Sequence, residues 1–331
     1  MRSATPARVA VDQLLELSVV GSFSRVGFRA RRALFGWDEA VDADLSGRVA
    51  VVTGATSGLG LATAHLLAPR GAHLFLIGRD RARTEAARES VRERAPGANV
   101  EIAVADLADL DAVRGAAASV ATATPSIDIL IHNAGALVHE LQRTHDGLEL
   151  TAQVHVAAPF LLTSLLAPQL RASGTARVIT VASGGMYTQR LDVRMLDVPP
   201  VPFDGVRVYA NAKRAEVVLN ALWSRHAAGA GIHFHAMHPG WADTPGVQAS
   251  LPRFRRVMRP LLRSAEQGAD TIAWLAGAPE ALESNGAFWL DRRPRPTTVF
   301  PWTRTSDADA DRLWNWCTIR TGAHVEPEPA S

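Results

Sequence analysis

The chain has 331 residues, 47% of them hydrophobic and 21% charged, enough apolar material for one large buried core or two small ones. A formal charge of only +2, with no basic stripe interleaved with aromatic residues, gives no support for nucleic-acid binding. The one cysteine, Cys317, excludes an intrachain disulfide and a cysteine-built zinc cluster, and fits a reducing, cytoplasmic setting.

Residues 1–44 read as a partly helical extension. The stretch "VAVDQLLELSVVGSF" is interrupted by Asp12 and Glu16 and lacks the basic lead of a secretory signal. No apolar run approaches the ~18–20 residues of a membrane span. In "SRVGFRARRALFGW" arginines alternate with apolar residues, and a helix packed on the main domain is preferred to attachment at a membrane surface.

From Gly47 the rhythm changes. "GRVAVVTG" is a short apolar run suited to a strand buried on both faces. A glycine-containing turn, the helical "LATAHLLAPRG" and a second apolar run, "AHLFLIG", follow. Residues 81–94 read as a charged helix, "VEIAVADL" as a third strand, residues 110–121 as a helix and "IDILIHNAG" as a fourth strand. Residues 148–170 suit a long helix, "ARVITVAS" a fifth strand, "GIHFHAMHPG" a sixth and "GAFWLD" a seventh. This alternation predicts an α/β fold: a Rossmann-like, doubly wound parallel sheet of about seven strands with helices on both faces, in a single domain over 45–292. "RRPRPTTVFP" marks the domain's exit into a tail, 293–331. There Ser306 is placed to cap a short helix presenting Leu313, Trp314 and Trp316 to the body, before a disordered "EPEPAS".

Lys213 is the chain's one lysine, against 34 arginines, and it stands four residues after Tyr209, one of two tyrosines. That economy points to a task a guanidinium cannot perform. On a helix, positions i and i+4 share a face, so a compact ammonium would lie beside the Tyr209 hydroxyl and favour the phenolate. Tyr187 has no lysine four residues on. In "TGATSGLG", between the first strand and first helix, Gly54, Gly58 and Gly60 allow a tight turn and close approach to a pyrophosphate. At the end of the second strand Gly78 and Arg79 supply a cation where NAD-binding folds place an acid, which favours NADP(H) over NAD(H).

The order of these motifs resembles the short-chain dehydrogenase/reductase family over about residues 45–291. Within it, "VITVASGGM", "PFDG", "VYANAKR" and "HPGWADTPGV" are similar to the dehydrogenase/reductase member-twelve branch. The resemblance implies nucleotide contacts from Gly54, Thr56, Ser57, Gly58, Leu59 and Gly60 in the turn, and from Asp106 and Leu107 beside the adenine. It adds Asn133, Ala134 and Gly135 after the fourth strand, and Pro239, Gly240 and Thr244 at the nicotinamide end. It implies Ser183 bonded to the substrate oxygen, Tyr209 exchanging its proton, and Lys213 holding the nicotinamide ribose while acting on the tyrosine.

Two features depart from the family pattern. The gap from Ser183 to Tyr209 is long, and "LDVRMLDVPPVPFDG" within it reads as a loop beside the substrate cleft. His155 stands where the family usually has an asparagine that completes a proton relay through water and lysine, so it joins the catalytic candidates. The histidines at 132, 233, 235 and 238 read as core and neighbouring contacts, and no metal is expected. The function expected is an NADP(H)-dependent oxidoreductase for a small lipophilic alcohol or carbonyl, in a chain able to form homo-oligomers. The alternative is a catalytically weak nucleotide-binding sensor or scaffold.

Overall fold

The computed structural model describes residues 5–37 and 43–323; the terminal "EPEPAS" lies outside them. Seven parallel strands form the sheet: β1 (Val49–Thr53), β2 (His73–Gly78), β3 (Val100–Val104), β4 (Ile129–His132), β5 (Ala176–Val181), β6 (Ile232–Met237) and β7 (Ala287–Leu290). Their order is 3-2-1-4-5-6-7, with a two-residue strand β8 (Arg293–Pro294) antiparallel on β7. The chain reverses direction across the sheet between β1 and β4. A ligand crevice opens at such a point, beyond the carboxyl ends of the strands.

The uninterrupted apolar strands follow from burial on both faces. Val49, Val51, Phe75, Ile77 and Leu130 pack to one side, and Ala50, Val52, Leu74, Leu76 and Ile129 to the other. The first side is covered by α6 (Leu110–Ala123), α8 (Ala158–Ser173), α9 (Gly205–His226) and α13 (Asp307–Thr321), and the second by α4 (Gly58–Leu67), α5 (Arg81–Arg94) and α12 (Ala265–Gly277). Burying each Val, Leu, Ile or Phe side chain among these contributes roughly 1.5–3 kcal/mol. Short helices α10 (Pro245–Ser250) and α11 (Pro252–Met258) follow β6. Ser306 caps α13 by accepting from Asp309 N–H (3.1 Å), and Leu313 and Trp316 are buried as expected.

The long helix expected at 148–170 forms as α7 (Leu150–Ala152) and α8 joined through a π-helical stretch, Gln153–Ala157. Residues 150–173 are, against expectation, long and apolar enough to cross a membrane by length and composition. The fold uses them as a core helix: Phe160, Leu161, Leu166 and Leu170 are buried against the sheet and α6. "LDVRMLDVPPVPFDG" packs along α13 through Arg320–Asp197 (2.9 Å), with Arg190, just before it, bound to Asp309 (3.1 Å).

The N-terminal segment forms α1 (Pro6–Glu16), α2 (Val19–Phe23) and α3 (Arg25–Phe35), and it packs on the domain. The polarity of α1 runs opposite to an ordinary surface helix: it buries Asp12 and leaves Leu14 65% exposed. The reason is a set of charged partners far away in sequence. Arg31 binds Asp12 (2.7 Å) and Asp291 (2.7 Å), while Arg295 binds Asp12 from β8's side (2.9 Å). Asp291 and Arg292 make the β7–β8 turn with φ of +53° and +56°, an arrangement that suits a two-residue hairpin but is unfavourable without glycine.

Candidate active site

The glycine turn sits at the carboxyl end of β1, pressed against the end of β4. Gly54 has φ +64°, and a Cβ there would stand 2.7 Å from Ala134 Cα; one on Gly60 would stand 2.4 Å from Gly54 O. Side chains are thereby kept off the backbone where a dinucleotide's pyrophosphate would approach. Thr53 Oγ1 accepts from the N–H groups of Asn133 (3.0 Å) and Ala134 (3.1 Å), and Asn133 Nδ2 donates to the Thr53 and Gly54 carbonyls. Asn133 and Ala134 are therefore braces of the turn, with Gly135 exposed beyond them. Ser57 makes no side-chain cap to α4, so the first-turn N–H groups, with Thr56 and Leu59 alongside, are left uncapped at a helix end whose dipole suits an anion.

Thr244, which caps α10, comes from across the crevice to the same turn: a Cβ on Gly58 would lie 3.3 Å from Thr244 Cβ. Pro239 and Gly240, φ +69°, lead into it from β6. Asp106 is exposed past β3 and accepts from Ala108 N–H (3.0 Å), with Leu107 buried beneath. Arg79 is exposed at β2's end. These residues, drawn from five strand ends, fit a bound dinucleotide.

Tyr209 and Lys213 lie one turn apart on α9, with the ammonium 5.6 Å from the tyrosine ring centroid. Two ammonium donors are engaged, by Val181 O (2.8 Å) and Glu216 Oε1 (2.8 Å), which aims the buried side chain and leaves the third proton for the crevice. Val181 O belongs to the strand leading to Ser183, so one lysine ties the serine's strand to the tyrosine's helix. Ser183 Oγ accepts from Gly185 N–H (3.2 Å) and retains its own proton to donate. A Cβ on Gly185 would meet Ser183 Oγ at 3.6 Å and Ala210 Cβ at 3.9 Å, which puts the serine beside the first turns of α9. Tyr187 is otherwise engaged: its hydroxyl donates to Pro296 O (3.0 Å), and burial pushes its pKa up.

His155 is fully buried in the π-helical stretch and stands between the Ala136 backbone and Glu216. Nδ1 lies 2.9 Å from Glu216 Oε1, while Nε2 lies 3.0 Å from Ala136 N and 2.9 Å from Ala136 O. Nε2 cannot accept and donate at once. In the neutral ring Nδ1–H donates to Glu216 and Nε2 accepts from Ala136 N–H; in the cation Nε2 donates to Ala136 O instead. Burial first, and then the Lys213 charge, holds the imidazole pKa below its ordinary value, with Glu216 opposing. Glu216 Oε1 stands between the imidazole and the Lys213 ammonium, 2.9 Å from one and 2.8 Å from the other.

Glu216 is the residue that sequence reading missed. It is 5% exposed, serves Lys213 and His155 with a single oxygen, and its Oε2 has no protein partner among the described residues. The available signal was spacing: i+3 from Lys213 on a helix is the same face. The other histidines are dispersed, with His132 on Thr163 (2.8 Å), His235 on Trp289 (3.1 Å) and His233 near Ser284 O. Among the described residues no three metal-ligating side chains converge.

Residues 48–253 match the short chain dehydrogenase family. Dehydrogenase/reductase SDR family member 12 of Bos taurus is 38% identical over 290 residues, covering 87% of this chain and 90% of the relative. Retinol dehydrogenase 12 of Homo sapiens is 31% identical over 273 residues, covering 82% and 85%. The solved structure of L-sorbose reductase from Gluconobacter frateurii, complexed with NADPH and L-sorbose, superposes with a TM-score of 0.61 at 25% identity, covering 75% of this chain and 96% of that one.

Proposed function

The chain belongs to the short-chain dehydrogenase family of oxidoreductases, and from that membership and the geometry of its crevice we propose that it is an NADP(H)-dependent enzyme interconverting a small lipophilic alcohol and its carbonyl, with Tyr209 as general acid/base. The observation that carries this is the aim of Lys213. Its two protein acceptors hold the ammonium beside Tyr209 with one donor unused, ready for a ribose hydroxyl. The bound nicotinamide supplies hydride transfer at the substrate carbon. Ser183 donates a hydrogen bond from its hydroxyl to the substrate oxygen, keeping its proton, and fixes that oxygen's position. Tyr209 gives its phenolic proton to the same oxygen in reduction and recovers it in oxidation, with the Lys213 charge balancing the phenolate. The crevice beside Gly54, Gly58 and Gly60 holds the pyrophosphate.

The preference for NADP(H) rests on Arg79. The nearest acid, Asp80, is occupied as the cap of α5, accepting from Arg83 N–H (2.8 Å), so the end of β2 presents a cation to the adenosine ribose. NADPH-bound L-sorbose reductase supports the same reading.

The test is a panel of ketones and alcohols with each nicotinamide cofactor, alongside direct titration of NADPH and NADH. Turnover with NADPH, lost in Tyr209→Phe while NADPH still binds, is expected. Arg79→Ala should shrink the preference through lost NADPH affinity, and equal affinities in wild type would sink the cofactor assignment. Saturable binding without turnover on any substrate would favour the nucleotide-binding scaffold instead.

A further inference from the structure

The N-terminal segment reaches the site itself. Where α2 gives way to α3, three consecutive carbonyls are tied to the ends of the main sheet. Ser22 O accepts from Arg263 Nη2 (2.9 Å), Phe23 O from Trp241 N–H (2.8 Å) and Ser24 O from Arg263 Nε (3.2 Å). Between these anchors the Phe23 ring lies against Gly184, where a Cβ would stand 2.4 Å from a ring carbon. The ring centroid is 4.5 Å from that of His238 and 6.0 Å from that of Trp241. Trp241 continues to Phe254 (5.4 Å), and Tyr187 stacks on the other side at 6.5 Å.

Gly184 follows Ser183, and His238 precedes Pro239. Phe23 therefore stands between the serine that would hold the substrate oxygen and the turn assigned to the nicotinamide end, at the carboxyl ends of two neighbouring parallel strands. It is only partly buried, and the backbone, not the ring, holds the segment in place. The ring thus joins a line of aromatic side chains at the carboxyl ends of β5 and β6, and a partly exposed aromatic row of this kind suits an apolar ligand.

We propose that Phe23, delivered from outside the region matched to the family, is a specificity-determining residue: its ring forms the apolar wall of the substrate cleft and, with Trp241, selects carbonyl compounds carrying an aryl group over short aliphatic ones. This rests on the alcohol–carbonyl reading above.

The experiment compares 4-phenyl-2-butanone with 2-butanone, using NADPH, in wild type and Phe23→Ala. For the aryl ketone kcat/KM should fall about tenfold, mainly through KM, as expected for a lost aromatic contact with its buried area. The 2-butanone value should change less than about twofold, and the NADPH Kd should be unchanged. Phe23→Tyr should restore the aryl preference. If Phe23→Ala does not fold, Phe23→Leu makes the same comparison. Equal losses on both ketones would mark a structural role and overturn the proposal. If wild type turns over neither ketone, the oxidoreductase reading is what suffers, and calorimetry of 4-phenyl-2-butanone on NADPH-loaded protein decides about the wall. Weaker binding to Phe23→Ala keeps it; equal binding, or none to wild type, overturns it.

Discussion

Two groups of charges are buried in this protein, and they are finished differently. In the cluster that ties the N-terminal helices to the sheet, the two central guanidinium groups, Arg31 and Arg263, use every donor, while Arg295 at its edge leaves Nε without a partner among the described residues. Arg31 donates to Asp12, Glu16, Asp291, Ser22 O and Ser22 Oγ, and Arg263 to both Asp291 oxygens and to the carbonyls of Ser22, Ser24 and Pro239. In the cluster under Tyr209, one carboxylate oxygen serves both Lys213 and His155, the second carboxylate oxygen has no protein partner, and one ammonium proton is unassigned. Saturation suits a joint, because a buried charge with an unmet bond destabilises the fold. An open valence suits a site, because it leaves a donor or acceptor free for water or a ligand. Exposure would not separate the two, since Arg31, Arg263, Asp291, Lys213 and Glu216 are all buried.

Reciprocal substitutions test this contrast most severely. Lys213→Arg keeps the charge but replaces a compact ammonium by a broad fork, and kcat/KM should fall by ~10²–10⁴, the scale of a lost acid–base device, with thermal stability changing far less. Near-wild-type turnover would falsify the role assigned to the sole lysine. Arg263→Lys makes the opposite exchange, leaving three donors where five are used. About 3 kcal/mol of unfolding free energy should go, read from urea denaturation at pH 7. A change under about 1 kcal/mol would show that saturation does not matter at the joint.

Acid probes the surroundings of both regions. His132 and His238 are held neutral with pKa values of about 3, and His235 with a value of about 4, in each case first by burial. Their folded-state values lie below the unfolded ~6.5, so the unfolded chain binds more protons as pH falls. Stability is fully present above pH ~6.5 and declines from there down towards pH 3–4. Between pH 7 and pH 6 the loss should be about 0.7 kcal/mol per histidine, some 2 kcal/mol for the three. Unfolding free energies that agree at pH 7 and pH 6 would contradict the neutral burial of these rings.

The smallest effect concerns the open cluster alone. His155 protonation should slow turnover, but on the acid side of the usual imidazole range, because burial and Lys213 lower its pKa. His155→Asn should abolish that limb, and Glu216→Gln should move it to still lower pH by removing the one side-chain charge that opposes the shift. Identical acid limbs in wild type and His155→Asn would show that another group titrates.

Much of the architecture was legible because its causes are local. Strands such as "VAVVT" are apolar on both faces, the turn needs glycine where a Cβ would strike Ala134 or Gly54, and Tyr209 and Lys213 share a helix face whatever surrounds them. β8 escaped notice because Asp291 and Arg292 carry none of the glycine that usually announces its turn. The π-helical stretch at His155 leaves no periodic trace in five residues.

By itself the sequence determined the parallel sheet, the glycine turn at the end of β1 and the tyrosine–lysine pair, since these depend on periodicity and on spacings of a few residues. Only the tertiary structure decided what the arginine-rich N-terminus does and what stands between Lys213 and His155. Arg31 meets Asp291 across 260 positions, and His155 meets Glu216 across 61. Buried charge is matched through space, and no local pattern records which distant acid a given base will find.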